Sequence, residues 1–217
     1  MLPFEMRNRY FEVGTLPASN RALRDAKRGI SNLENRLAQR YTLLADWKVE
    51  YVGVCALLRA AIHLIQIDSK SCHSKSVTEE LKREWQLIKS EKDKHAIYWE
   101  FINKERNSIL KEYQWGSYKQ YFDESGDPIL AKDLSLLTMF GGGNTSDLRI
   151  RGGPFDGRET LEVLAEAANW VEGRISSALS RAGYSLTDRV HFMSWAKMPK
   201  PEKSLLSEML NLETDDN

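Results

Sequence analysis

The chain has only two cysteines, Cys55 and Cys72, too few for a disulfide framework. One falls in an apolar helical pattern and the other in a polar loop, so both are expected as free thiols in a reducing compartment. No Cys/His cluster stands at zinc-ligand spacing, and nothing in the pattern calls for a metal or a cofactor. There is no excess of either charge, because Lys+Arg and Asp+Glu are both 31. That excludes a protein that coats nucleic acid through bulk positive charge, and leaves any such contact to a local patch. Residues 1–10 carry Glu5, Arg7 and Arg9 and lack the apolar core of a signal peptide. The longest apolar stretch, 52–67, is interrupted by Arg59, His63 and Gln66, and is expected to be too short and too polar to span a bilayer. These absences give the expectation of a cytoplasmic protein with no membrane partner. No internal repeat or low-complexity segment is evident.

What is present is a globular composition, 41% hydrophobic with 10% aromatics, over 217 residues. That length suits one domain with a sizeable core. We expect an arm over 1–19, a single bundle domain over 20–198, and a short helix with an acidic tail over 199–217. Leu23, Ala26, Ile30, Leu33, Leu37, Tyr41 and Leu44 recur every three or four positions, which predicts an amphipathic helix over about 20–45. Ser19 or Asn20 is its expected cap. In the next pattern, 47–67 with Asp46 as cap, Trp47, Tyr51, Val54, Leu58, Ala61, Ile62 and Ile65 share one face. Val49, Ala56, Ala60, Leu64 and Ile67 share the opposite one. A helix apolar on two sides is expected to be central. The narrow polar stripe left over holds Lys48, Arg59, His63 and Gln66, which reads either as a solvent-facing edge or as one wall of a polar cleft.

Ser76-Val77-Thr78-Glu79 fits a capping box opening a third pattern, 77–113, with a break near Ser90 and no proline. From Gly116 the character changes. Gly126-Asp127-Pro128, Gly141-Gly142-Gly143-Asn144 and Gly152-Gly153-Pro154 flank short apolar runs at 134–140 and 148–150. A loop or small β-hairpin inserted at about 116–157 follows from that alternation. The glycine run lacks the spacing and the Lys-Ser/Thr ending of a phosphate-cradling loop, so it reads as a turn. Asp156 to Glu159 resembles a cap, and Leu161, Leu164, Ala165, Ala168, Val171, Ile175 and Leu179 stripe a helix over 158–182 that Gly183 stops. A shorter helical pattern over 187–196 and a last one over 202–210 complete the chain. The fold class is therefore all-α, a helical bundle of four or five main helices carrying that insertion.

The site argument starts from 95–113. On a regular helical wheel His95, Trp99, Ile102, Arg106, Ile109, Leu110 and Tyr113 fall within an arc of about 100°. That stripe should be buried, and a buried guanidinium is costly unless something pairs with it. Arg106 is thus the strongest single lead, with Glu50 a possible internal partner. His95 lies roughly 16 Å along the axis from it at ideal rise, so the two could mark the ends of a groove. The tryptophans Trp85, Trp99, Trp115, Trp170 and Trp195 read first as core.

Arg106-Asn107-x-x-x-Lys111-x-Tyr113, with Ile109 and Leu110 inside it, resembles the signature of HEPN domains. The architecture of 47–182 resembles that family too, although the motif covers only eight residues. The resemblance implies a helical bundle that often dimerises around a cleft shared by two motif helices. Active members are metal-independent endoribonucleases of toxin–antitoxin and antiphage defence systems. It further implies Arg106 as the phosphate holder, Asn107 as its orienting neighbour and Tyr113 as the flanking aromatic. The chain departs from the family where Lys111 stands in place of histidine. An ordinary lysine titrates about four units above imidazole. It neutralises phosphate well and transfers protons poorly. The expected activity is therefore binding of RNA, a nucleotide or a protein partner by a homodimer. Arg106, Lys111 and Tyr113 are the potential catalytic set, and Asn107, His95, Arg59 and His63 the potential binding set. Two alternatives stay open: a ribonuclease that borrows His63 or His95, and a scaffold in which Arg106 only ties helices together.

Overall fold

The computed structural model describes residues 10–38, 47–123, 125–129 and 145–198. The expected glycine run 141–144, the apolar run 134–140, the cap at Asp46, the helix over 202–210 and the acidic tail lie outside these residues. Among the described residues five α-helices carry the fold: α1 (Ala18–Leu37), α2 (Trp47–Ser71), α3 (Lys75–Ser90), α4 (Asn103–Glu112) and α5 (Thr160–Arg181). Two small antiparallel pairs accompany them. Strand β1 (Tyr10–Glu12) pairs with β4 (Arg189–His191), and β2 (Ser117–Phe122) pairs with β3 (Thr145–Ile150). The architecture is the mainly helical bundle with a small β insertion that the sequence implies.

α2 is the spine. Trp47, Tyr51, Val54, Leu58, Ala61, Ile62 and Ile65 are all buried, as the first of its two apolar faces predicts. Each aliphatic side chain fully buried there stabilises the fold by about 1.5–3 kcal/mol. The second face is not covered as expected: Val49 is 78% exposed and Ile67 44%. Ala56, Ala60 and Leu64 on that face are only half-buried. α2 also runs further than its apolar stretch, to Ser71, and by length and composition alone it could cross a bilayer.

The starts of α1 and α3 differ from those the sequence suggests, and for α1 a distant group supplies the cap. α1 begins at Ala18, and the Asp68 carboxylate of α2 accepts from the N–H groups of Ala18 and Ser19, both at 2.9 Å. Ser19 and Asn20, the expected caps, sit inside the first turn. Within the described residues α1 runs to Leu37, and the expected stretch to 45, with Tyr41 and Leu44, lies outside them. The cap of α3 is Ser74, two residues before the expected Ser76, with its hydroxyl 3.5 Å from the N–H of Val77. α1 and α2 approach closely at Gly29, where a Cβ would come within 2.8 Å of a Val54 methyl.

The break near Ser90 is present, and beyond it the chain is not a regular α-helix. A 3-10 turn (Lys92–His95) leads into a π-helix (Ile97–Ile102) and only then into α4. The 187–196 pattern is not helical. Arg189–His191 pairs with β1 instead, and the chain then turns through Trp195 at φ +55°.

α3 and α5 are joined by a buried ion cluster. Glu84 is fully buried and pairs with Arg174 at 3.1 Å and with Arg181, which also holds Glu80 at 2.6 Å. Its position is legible in retrospect. Val77, Leu81, Glu84 and Ile88 step by four, three and four along the inner stripe of α3, so the carboxylate replaces a core residue.

Candidate functional site

A single wheel carries its phase only through regular α-helix. The 3-10 turn has three residues per turn, and π-helix bonds skip one residue more than α bonds do. The facing of each α4 residue is read from its own contacts. Glu105 and Ile109 point inward. Arg106, one residue and about 100° further round, is half-buried, while Leu110 and Tyr113 are exposed. Of the expected stripe, His95, Ile102 and Ile109 are buried, but Arg106 stands at its edge, and the ionisable group that α4 gives to the core is the adjacent carboxylate of Glu105.

Arg106 is not locked in an ion pair. Its guanidinium donates to the Asn107 amide oxygen at 2.9 Å, and among the described residues it meets no carboxylate. Glu50, the partner considered for it, is engaged by Arg36. Lys111 is exposed one turn further on. α4 ends at Tyr113, whose φ of +55° places a non-glycine residue in the left-handed region. Its ring meets Trp115 edge-on at 5.5 Å, and the ammonium of Lys48, from α2, stands 5.0 Å over Trp115. Lys48, Val49, Val52, Tyr113 and Trp115 line an open notch of about 270 Å³.

The other end of this α2–α4 seam is fixed by Arg59. It donates to the Asn103 side chain at 3.0 Å and lies 5.6 Å over the Tyr98 ring. The polar stripe of α2 is thus partly a wall against α4, with His63 exposed one turn beyond Arg59. On α4, Asn103, Arg106, Asn107 and Leu110 fall within one 100° arc, so Arg106 lies along the seam between its two anchors. His95 is not part of it. His95 is buried in the 3-10 turn, edge-on to Trp170 at 5.5 Å, and its Nδ1 has no hydrogen-bond partner among the described residues. Burial, and then the Arg174 charge, hold its pKa below the ordinary value.

Sequence reasoning missed Glu105. Its Oε1 accepts from the N–H of Gly116 at 2.8 Å. A Cβ at Gly116 would come within 2.2 Å of the other oxygen, so only glycine allows this approach. The Tyr51 hydroxyl bonds the same carboxylate and accepts from Ser117 Oγ at 2.9 Å, which lies 3.1 Å from Thr160 Oγ1. Burial raises the Glu105 pKa. The Gly116 and Tyr51 hydrogen bonds, and the charge of Lys104, pull it partly back. Burial likewise pushes up the Tyr51 hydroxyl and the neighbouring Cys55 thiol, which leaves Cys55 a packing residue. The signal for Glu105 was available in the spacing of Ile102, Glu105 and Ile109, three and then four residues apart.

Among the described residues, no group of three or more His, Cys, Asp or Glu side chains could hold a metal ion. No family model, curated protein or solved structure matches the chain.

Proposed function

We propose that the α2–α4 seam is a binding surface for single-stranded RNA, in a HEPN-like protein that binds rather than cleaves. One observation carries the reading. Arg106 is half-buried, steadied by Asn107, and paired with no acid among the described residues, so its charge is available to a phosphate. Lys111 and Lys48 extend the positive charge, and Tyr113 with Trp115 supplies aromatic faces on which bases stack. The seam is a local basic patch on a chain of zero net charge, the form that a nucleic-acid contact has to take here. Lys111 in the histidine position favours holding a phosphate over moving a proton. Exposed Val49, Leu110 and Tyr113 border the seam, and a second copy packed there would cover them and bring two Arg106 side chains to one cleft.

The test is RNA binding by the purified chain at low salt, read by fluorescence anisotropy. Arg106→Ala and Lys111→Ala should each weaken affinity about three- to tenfold and each reduce the salt slope by about one. Unchanged affinity in both variants removes the proposal. Cleavage of the RNA without metal, lost in Arg106→Ala, would replace binding by ribonuclease activity, with the exposed His63 the first imidazole to test.

A further inference from the structure

The last turns of α2 meet the entry to α1, the start of α3 and the turn after β4, and between them lies an open cavity of about 280 Å³. It shares no lining residue with the Arg106 seam or its notch, so a ligand held there is independent of the RNA reading. Its walls are apolar. Leu16 and Pro17 come from the entry to α1, Val77 and Leu81 from α3, and Phe192 and Trp195 from the turn after β4. That last wall is held in place, because the Trp195 carbonyl accepts from the Tyr184 hydroxyl at 3.1 Å and the two rings meet edge-on at 5.4 Å. From α2, Ile67 lines the same cavity while 44% exposed. The size suits a small ligand with an apolar body.

The polar groups on this cavity are mostly engaged. Both oxygens of the buried Asp68 carboxylate accept from the first N–H groups of α1. The Ser71 hydroxyl donates to the Ile67 carbonyl at 2.9 Å. His73 lies edge-on to Phe192 at 6.1 Å. Cys72 is a half-buried free thiol whose pKa burial raises, so it is a wall and not a nucleophile. Arg21 differs. It is exposed at the rim, and its Nη1 donates to the Leu16 carbonyl at 2.7 Å and to the Thr15 carbonyl at 3.3 Å, which fixes the guanidinium there. A guanidinium carries five N–H donors. This one meets no carboxylate among the described residues, and its Nε and Nη2 edge is left over by the carbonyl bonds.

We propose that this cavity binds a free medium-chain fatty acid, with the chain on the apolar walls and the carboxylate on Arg21. The Nε and Nη2 edge presents two parallel donors, the arrangement that a carboxylate takes in bidentate fashion. One free cation calls for one negative charge. A phosphate dianion would bring a second charge toward Asp68, whose carboxylate lines the same cavity. A peptide would bring backbone N–H and C=O groups, for which the engaged Asp68 and Ser71 offer few partners. An unbranched chain brings none.

The experiment is calorimetric titration of the full chain with butanoate, hexanoate, octanoate, octanamide, octyl phosphate and N-acetyl-leucine. Affinity should rise about three- to fourfold for each methylene from butanoate to octanoate. Octanamide should bind about three- to tenfold more weakly than octanoate, a gap that closes in Arg21→Gln. Ile67→Asp, a change at an exposed position, should weaken octanoate at least about tenfold. Octanoate should also slow alkylation of Cys72 by iodoacetamide, with the buried Cys55 giving no background. The chain-length, amide and alkylation comparisons use the unaltered chain, so a variant that fails to fold by circular dichroism leaves the test intact. No heat at millimolar octanoate, affinity indifferent to chain length, equal binding of acid and amide, or an unprotected Cys72 overturns the proposal. Tighter binding of octyl phosphate or of N-acetyl-leucine than of octanoate also overturns it, in favour of a phosphate ester or a peptide terminus. None of these outcomes bears on Arg106.

Discussion

The inward residue of α4 is testable by paired substitution. Glu105→Ala removes the acceptor of two donors, the part-buried Gly116 N–H and the buried Tyr51 hydroxyl. Each orphaned donor costs about 1–3 kcal/mol. Relief of the carboxylate's own burial offsets part of this, leaving a net loss of about 2–4 kcal/mol. Arg106→Ala removes one half-exposed hydrogen bond to the adjacent residue and should stay within about 0.5 kcal/mol. In urea unfolding, with a slope of about 1–3 kcal/mol per molar, Glu105→Ala should lower the midpoint by about 1 M or more and Arg106→Ala should hardly move it. The pH dependence gives a second check. Burial raises the Glu105 pKa, so the folded chain holds this proton more tightly than the unfolded chain. The stability it contributes is fully present below the ordinary glutamate value of about 4.3. It is lost as pH rises through the raised folded value. The penalty of Glu105→Ala should therefore be greatest near pH 4.5 and decline toward pH 8. Equal penalties for the two substitutions, or a larger one for Arg106→Ala, would show that the guanidinium and not the carboxylate faces the core.

Two further stability measurements concern the same bundle. Glu84 is fully buried between two arginines, so Glu84→Ala leaves both guanidinium groups short of their partner and should cost about 3–5 kcal/mol by urea unfolding; a loss under 1 kcal/mol would mean that the cluster is not buried in solution. His95 has its pKa depressed by burial, so the unfolded chain takes up its proton first, and stability present above about pH 6.5 is lost as pH falls through the lower folded value. His95→Phe should flatten that acid-side decline in a thermal melt series, and an unchanged profile would place the sensitivity elsewhere.

How much was legible divides along one physical line. Periodicity located α1, α2, α3 and α5 and named most of the buried residues of α2, because those helices keep 3.6 residues per turn throughout. It also placed a small β element after Gly116. The caps were misread where the capping group comes from far along the chain, as Asp68 does for α1. The 187–196 segment was misread because its helical spacing is overridden by pairing with a strand more than 170 residues earlier. Around α4 the residues of the motif stand close together, but their facing was not foreseen. Arg106, Asn107, Lys111 and Tyr113 share α4 and its end as expected, and Arg59 stands across the seam. His95 belongs to the core beside Trp170 instead.

That facing decides which chemistry the helix can offer. Had Arg106 pointed inward, its charge would have needed an internal acid and would have been spent on structure. With Glu105 inward, the cost of burial falls on a carboxylate that the Gly116 N–H and the Tyr51 hydroxyl already support, and the adjacent guanidinium is released to the surface. The irregular turns from 92 to 102 do not change the phase, since Ile88, His95, Ile102 and Ile109 are all buried, seven residues apart, and the choice between Glu105 and Arg106 falls within α4 itself. π-helical turns are rare and frequently mark functional positions. Here the irregular stretch leads into α4 in step with α3, and α4 then turns Glu105 to the core and Arg106, one residue on, to the half-buried edge.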